Sequence, residues 1–148
     1  KDIGVGRIEN VCFENIVADT TSPVDRQPNY LNGDRVAGNF ATFEIGSNLK
    51  NMQICNVSVK LDKQKYPCSY LITVGPKSQY IKEKHLELFD PYVFATAENI
   101  VYDNMFINDE EIDDISPFVK QVEFGELYPS ALPFGKGKIL SFSKEKIK

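Results

Sequence analysis

The chain has no apolar run approaching the roughly 18–20 residues of a membrane-spanning helix, no excess of positive charge, and a single histidine. The first absence argues against a membrane span. Lysine and arginine number 17 against 21 acidic residues, for a net charge of −4. With no basic stripe carrying interleaved aromatics, this argues against general nucleic-acid binding. The three cysteines, Cys12, Cys55 and Cys68, are odd in number and form no C-x-x-C pair. Free thiols are expected over a single bridge involving Cys68. No zinc-ligand spacing, phosphate loop or Ser/His/Asp order is present. The acidic run Asp109, Glu110, Glu111, Asp113 and Asp114 has oxygen ligands but not the spacing of a calcium loop, so it reads as a solvated loop. No metal or cofactor is expected. The chain begins at Lys1, not Met, with no signal-peptide pattern, and reads as a processed form or a fragment.

What the chain does have is a phrase written three times: Asn10-Val11-Cys12-Phe13-Glu14-Asn15, Asn51-Met52-Gln53-Ile54-Cys55-Asn56 and Asn99-Ile100-Val101-Tyr102-Asp103-Asn104. Asn10 to Asn51 and Asn15 to Asn56 are both 41 residues apart; Asn51 to Asn99 and Asn56 to Asn104 are both 48 apart. Such self-similarity at fixed register is the signature of a repeat architecture. Within each copy the apolar residues alternate, so Val11/Phe13, Met52/Ile54 and Ile100/Tyr102 share one face of a strand. The second Asn interrupts the alternation, which resumes at Ile16/Ala18, Val57/Val59 and Met105/Ile107. Two short strands meeting at a bend are expected, since Asn tolerates the left-handed region and bonds locally. Stacked coil on coil, Asn15, Asn56 and Asn104 would form an amide ladder, each satisfying its neighbours. The expected fold is all-β, a parallel β-solenoid. The alternative is a β-sandwich in which three unrelated strands end at ordinary Asn turns.

The segments R-I-E-N-V-C-F-E-N-I-V-A-D, N-L-K-N-M-Q-I-C-N-V-S-V and A-E-N-I-V-Y-D-N-M-F-I-N-D resemble coils of right-handed parallel β-helix proteins of the pectate-lyase-like superfamily. They are especially similar to glycoside hydrolase family 28, the polygalacturonase-like proteins, whose later coils carry runs of the form G-x-x-x-N-I-x-F-x-N-I. The resemblance covers roughly residues 4–109. It implies the C-terminal part of a carbohydrate-acting hydrolase, with polysaccharide or oligosaccharide as partner and a secreted or cell-envelope location. The family hydrolyses through carboxylate acid and base groups carried on N-T-D, G-D-D, G-H-G and R-I-K motifs, and none of these occurs here. Asp113-Asp114 follows Ile112, not Gly, and His85 has no flanking glycine. No catalytic residue is therefore assigned, and whether the chain itself is an enzyme stays open. The other class is a non-catalytic β-helix module binding glycan or protein, as tailspike and adhesin solenoids do.

Taken in order, residues 1–114 are expected to form coils with projecting loops at 20–35, 60–69 and 77–91. Residues 115–148 form a C-terminal capping segment, with a tail over Lys144–Lys148 that frays. Strands are expected at Phe40–Ile45, Tyr70–Val74, Phe118–Phe124 and Lys138–Phe142. No amphipathic cap precedes Val11, so more N-terminal coils of the same protein, or a second copy, are expected to cover the open end. Loop 20–35 carries the candidate substrate contacts. Asp34 and Arg35 can bond a sugar through charge-assisted hydrogen bonds; Arg26 and Tyr30 can offer a guanidinium and a stacking ring. Their blander role is as solvated turn residues and loop anchors. Asn56-Val57-Ser58 is formally a glycosylation sequon, but the ladder position of Asn56 argues against a glycan.

Overall fold

The computed structural model describes residues 7–21, 29–31, 34–36, 40–65, 69–75, 93–121, 136–139 and 141–147. Their elements are β1 (Arg7–Asp19), β2 (Asn29–Leu31), β3 (Asp34–Val36), β4 (Phe40–Ile45), β5 (Asn48–Lys60) and β6 (Ser69–Val74), then β7 (Val93–Ile107), β8 (Glu110–Glu111), β9 (Val119–Gln121), β10 (Lys136–Ile139) and β11 (Phe142–Lys144). A 3-10 turn, Ser116–Phe118, precedes β9, and no α-helix occurs among the described residues.

Two parallel sheets organise these strands. One runs β1-β5-β7-β10, with β11 also on β7 and β8 turning back antiparallel; the other runs β4-β6-β9. Leaving aside β8 and the separate β2-β3 hairpin, the chain visits the two sheets alternately and returns to each one strand further along. Among the described residues neither sheet closes on itself. Long-range parallel pairing of this kind needs a crossover between every pair of neighbours, and the other sheet supplies it. The register is that of the repeat: Val11 pairs with Met52 and Met52 with Ile100, Phe13 with Ile54 and Ile54 with Tyr102. The inward residues of both sheets merge into one core, with Ile54, Val57, Val59, Leu71, Ile72 and Val74 fully buried. β6 buries the consecutive Leu71 and Ile72, so both its faces are covered.

Three expectations change. Each phrase is one continuous strand with two left-handed residues, not two strands at one bend: Asn10 and Asn15, Asn51 and Asn56, and Asn99 and Asn104 all have φ between 51° and 59°. Parallel ladder bonds continue on both sides of each Asn, so the chain turns without losing its pairing. The segment 20–35 holds the hairpin β2-β3, with Leu31 level with Asp34 and Asn32-Gly33 between them; Asn-Gly is the strongest two-residue hairpin signal. The tail expected to fray is held as far as Ile147. β11 pairs with Ile100–Tyr102, the Glu145 amide donates to the Tyr102 carbonyl at 3.1 Å, and the Ile147 amide to Asp103 Oδ2 at 3.0 Å.

Beyond residue 115 the chain adds a further strand to each sheet: β9 on β6, then β10 and β11 on β7. Ile115 is fully buried, and Phe118, Val119, Ile139 and Phe142 pack on the core. The loop expected at 77–91, with His85, lies outside the described residues, as does Cys68.

Candidate functional site

The most ordered chemistry on the surface is made by the repeat itself. At each Asn the backbone takes a conformation that costs an ordinary L-residue roughly 1 kcal/mol or more, a cost Asn largely escapes. The turn sets the carboxamides of successive strands above one another. Asn56 Nδ2 donates to Asn15 Oδ1 at 2.6 Å and Asn104 Nδ2 to Asn56 Oδ1 at 3.0 Å, which is the ladder expected from the sequence. The first Asn of each phrase makes a second ladder: Asn51 Nδ2 to Asn10 Oδ1 and Asn99 Nδ2 to Asn51 Oδ1, both 3.0 Å. The identical 41 and 48 spacing of these residues was the signal for it.

All four bonds run the same way, each strand donating to the one before it. Asn56 Nδ2, the atom a glycan would take, is thus already donating to Asn15. Two more asparagines tie neighbouring strands: Asn48 Oδ1 accepts from the Thr96 amide and hydroxyl, each at 3.1 Å, and Asn108 Oδ1 from the Leu61 amide at 2.9 Å. Beyond Asn99 the next level is Ser141, whose hydroxyl accepts from the Asn99 amide at 2.9 Å. β11 follows at this level, with Phe142 beside Ile100 and Lys144 beside Tyr102, so a degenerate fourth copy without the first Asn stacks on the third.

A shallow groove of about 230 Å³ follows the first ladder, lined by Asn10, Asn51 and Asn99 with Cys12, Gln53 and Val101 beside them. It presents carboxamides and no carboxylate. Lys50 and Glu98 flank it 3.8 Å apart and about half exposed, a geometry worth little energy. Cys12 and Cys55 are free; Cys12 is level with Gln53, and Cys55 with Glu14, so the thiols are diagonal neighbours rather than partners. Burial, then the negative Asp103 and Glu14, push the Cys55 thiol above its ordinary value, which disfavours the thiolate a nucleophile needs.

The described carboxylates with a clear shift both move down. Hydrogen bonds from the Thr21 hydroxyl and amide hold Asp19 below the ordinary carboxylate value, and the Ser116 hydroxyl and amide do the same for Asp114. Asp113 pairs with Lys144, whose pKa the Asp113 hydrogen bond raises, and its carbonyl accepts from Tyr102 Oη at 2.9 Å. Asp113 and Asp114 thus fasten the turn after β8, and Asp19 the end of β1. Among the described residues no group of three or more His, Cys, Asp or Glu side chains is arranged to hold a metal, and no helix is long and apolar enough to cross a membrane.

Of the candidate sugar contacts, Tyr30 and Arg35 are directly opposed across the β2-β3 hairpin and Asp34 is opposite Leu31. Arg26 lies outside the described residues. Comparison with protein-family models, with curated proteins and with solved structures finds no match.

Proposed function

We propose that this chain is a stretch of right-handed parallel β-helix, the C-terminal coils of a polygalacturonase-like glycoside hydrolase that acts on a polysaccharide. Its part is scaffold and groove wall, with the acid and base carboxylates carried by other coils. The observation that carries the reading is the double Asn ladder in parallel register across β1, β5 and β7. A chain that crosses between two parallel sheets and returns one level further stacks its apolar positions in a column, as solenoid repeats do. A rigid column of this kind holds projecting loops where they can position a saccharide. Asp19 and Asp114 fit a scaffold role: inverting hydrolysis needs one carboxyl raised to act as acid, whereas these two are pulled down.

The carboxamide-lined groove favours a second reading, a non-catalytic module that binds glycan or protein. Arg26, Tyr30, Asp34 and Arg35 serve both readings as saccharide contacts. Oligogalacturonides, titrated into the isolated chain and assayed for released reducing ends, test both. The first reading expects no turnover, with binding weakened by Tyr30→Ala and Arg35→Ala. Turnover by the isolated chain would refute the scaffold role, and binding indifferent to both substitutions would remove the hairpin from the groove wall. Saturable binding of a glycan by the chain, with no paired-Asp or Gly-His-Gly motif anywhere in the gene product, would favour the second.

A further inference from the structure

Two free thiols share the outer face of the β1-β5 pair. Phe13 of β1 and Met52 and Ile54 of β5 pack on the core, so by alternation Cys12 and Cys55 point outward; Cys12 is exposed and Cys55 half-buried. Cys12 is level with Gln53 and Glu14 with Cys55, which sets the thiols one strand apart and two residues along. With strands about 4.8 Å apart and a rise of about 3.3 Å per residue, their Cα atoms are about 8 Å apart. That lies beyond the roughly 7 Å limit for a disulfide. It suits a longer link, because two metal–sulfur bonds of about 2.3 Å span about 4.6 Å between sulfurs. Glu14 and Asp103 are level with Cys55, one on each side. The Asn104 amide at 2.9 Å and the Ile147 amide at 3.0 Å hold the Asp103 carboxylate in place. Burial, Asp103, Glu14 and then Cys12 push the Cys55 thiol up. The two carboxylates that oppose a bare thiolate favour a cation bound by it.

We infer that Cys12 and Cys55 form a two-coordinate site for a soft cation of the cuprous class, Cu(I), with Glu14 and Asp103 supplying charge rather than ligands. Thiolate sulfur selects soft ions. Structural zinc takes four donors, and among the described residues no group of three or more His, Cys, Asp or Glu side chains is placed to hold one ion. The donor count therefore selects an ion content with two sulfurs. Uptake of one Cu(I) replaces two S–H bonds by two Cu–S bonds and leaves an S–Cu–S unit of net charge −1. Both protons pass to the buffer, and no electron moves. The ladders keep the thiols at their spacing: Asn10 is tied to Asn51 and Asn15 to Asn56, one pair on each side of the site. No ligand spacing in the sequence announces the pair, since its members belong to different strands. The inference rests on the register of β1 and β5 and holds for either reading of the function.

The test uses the full chain carrying Cys68→Ser, so that Cys12 and Cys55 are its only thiols. The reduced protein is titrated without oxygen with Cu(I), supplied as its acetonitrile complex, against a chromophoric Cu(I) chelator. Native mass spectrometry should show one copper per chain with two protons lost, and X-ray absorption two sulfur neighbours. Cys12→Ser and Cys55→Ser should each weaken binding by more than the roughly 10–100-fold that loss of an outer partner costs. Glu14→Gln removes charge and no ligand; it should weaken binding a few-fold, and by less in high salt. Should a serine variant fail to fold, iodoacetamide on the folded, metal-free chain caps the exposed Cys12 and should abolish uptake instead. One copper shared by two chains, affinity indifferent to either serine substitution, or uptake that survives capping would each overturn the proposal. So would a mild oxidant that closes a Cys12–Cys55 disulfide in the folded chain, since the thiols would then be closer than the register sets them.

Discussion

β1 and β5 are nearly the same strand placed in two environments. Each has 13 residues, two left-handed asparagines five apart, and the same alternation of apolar positions. β5 lies between two parallel neighbours and buries Met52, Ile54, Val57 and Val59 almost completely; among the described residues β1 has one neighbour, and its equivalents remain partly exposed. The difference teaches that the phrase specifies a shape and a register, while burial comes from the stack. An isolated copy has nowhere to put its apolar face, which is why repeat units need neighbours on both sides.

Truncation in the core sharpens this comparison most. Ile54→Ala should destabilise the chain by about 3–4 kcal/mol in chemical denaturation. Phe13→Ala, at the same level of β1 and with the larger side chain, should cost only about 1–2 kcal/mol, because its ring is partly in water already. Equal losses would mean that the edge is as well covered as the interior. The ladders come next. Asn56→Ala removes one bond on each side and puts a Cβ-bearing residue without a carboxamide at φ 51°, for a loss of about 2–3 kcal/mol. Asn15→Ala has the same backbone cost, at φ 58°, but breaks a single ladder bond, and should lose about 1.5–2 kcal/mol. Asn56→Gly should recover the backbone share and leave the hydrogen-bond share, a split readable in the same denaturation series.

The smallest effects are in titration. Asp19 and Asp114 have folded pKa values below their ordinary ones. Their contribution to stability is therefore present above the unfolded carboxylate pKa and is lost as pH falls through the folded value. Ser116→Ala should move the Asp114 midpoint upward in a carboxyl-detected NMR titration. Lys144 has the opposite sign: its raised pKa stabilises the fold below the ordinary lysine value, and the gain is lost as pH rises through the folded one. Asp113→Asn should lower the Lys144 midpoint, since Asp113 is its hydrogen-bond partner.

The repeat was legible because it has a physical period. Alternation gave the inward positions, and the shared 41 and 48 spacings gave the register that pairs Asn15 with Asn56 and Asn56 with Asn104. Strand β4 was legible for the same reason, and β6 as a short apolar run, Tyr70–Val74, stopped by Gly75-Pro76. The second ladder was legible too, in the spacing of Asn10, Asn51 and Asn99, but one Asn at a bend already accounts for a broken alternation, so the first Asn of each phrase carries no separate signal of its own. The hairpin was harder to see, because a three-residue strand has too few alternations to stand out from a polar loop, although Asn32-Gly33 marked its centre. The fourth copy had lost its letters: Ser141 stands where the first Asn would be, and only the pairing of Phe142 with Ile100 reveals it. The tail looked free for a related reason, since Glu145 and Ile147 are held by backbone amides that carry no side-chain signal. A candidate sugar contact is less legible still. Nothing in a single arginine or tyrosine distinguishes a ligand-facing group from a loop anchor.

The central claim is that the three phrases stack in parallel with their asparagines in register. Side-chain amide NOEs in a uniformly labelled sample test it most directly. The account predicts cross-peaks between the Asn15 and Asn56 and between the Asn56 and Asn104 carboxamides, a matching set for Asn10, Asn51 and Asn99, and none linking Asn15 to Asn104. Carboxamides that see only their own strand, or cross-peaks in an antiparallel order, would contradict it.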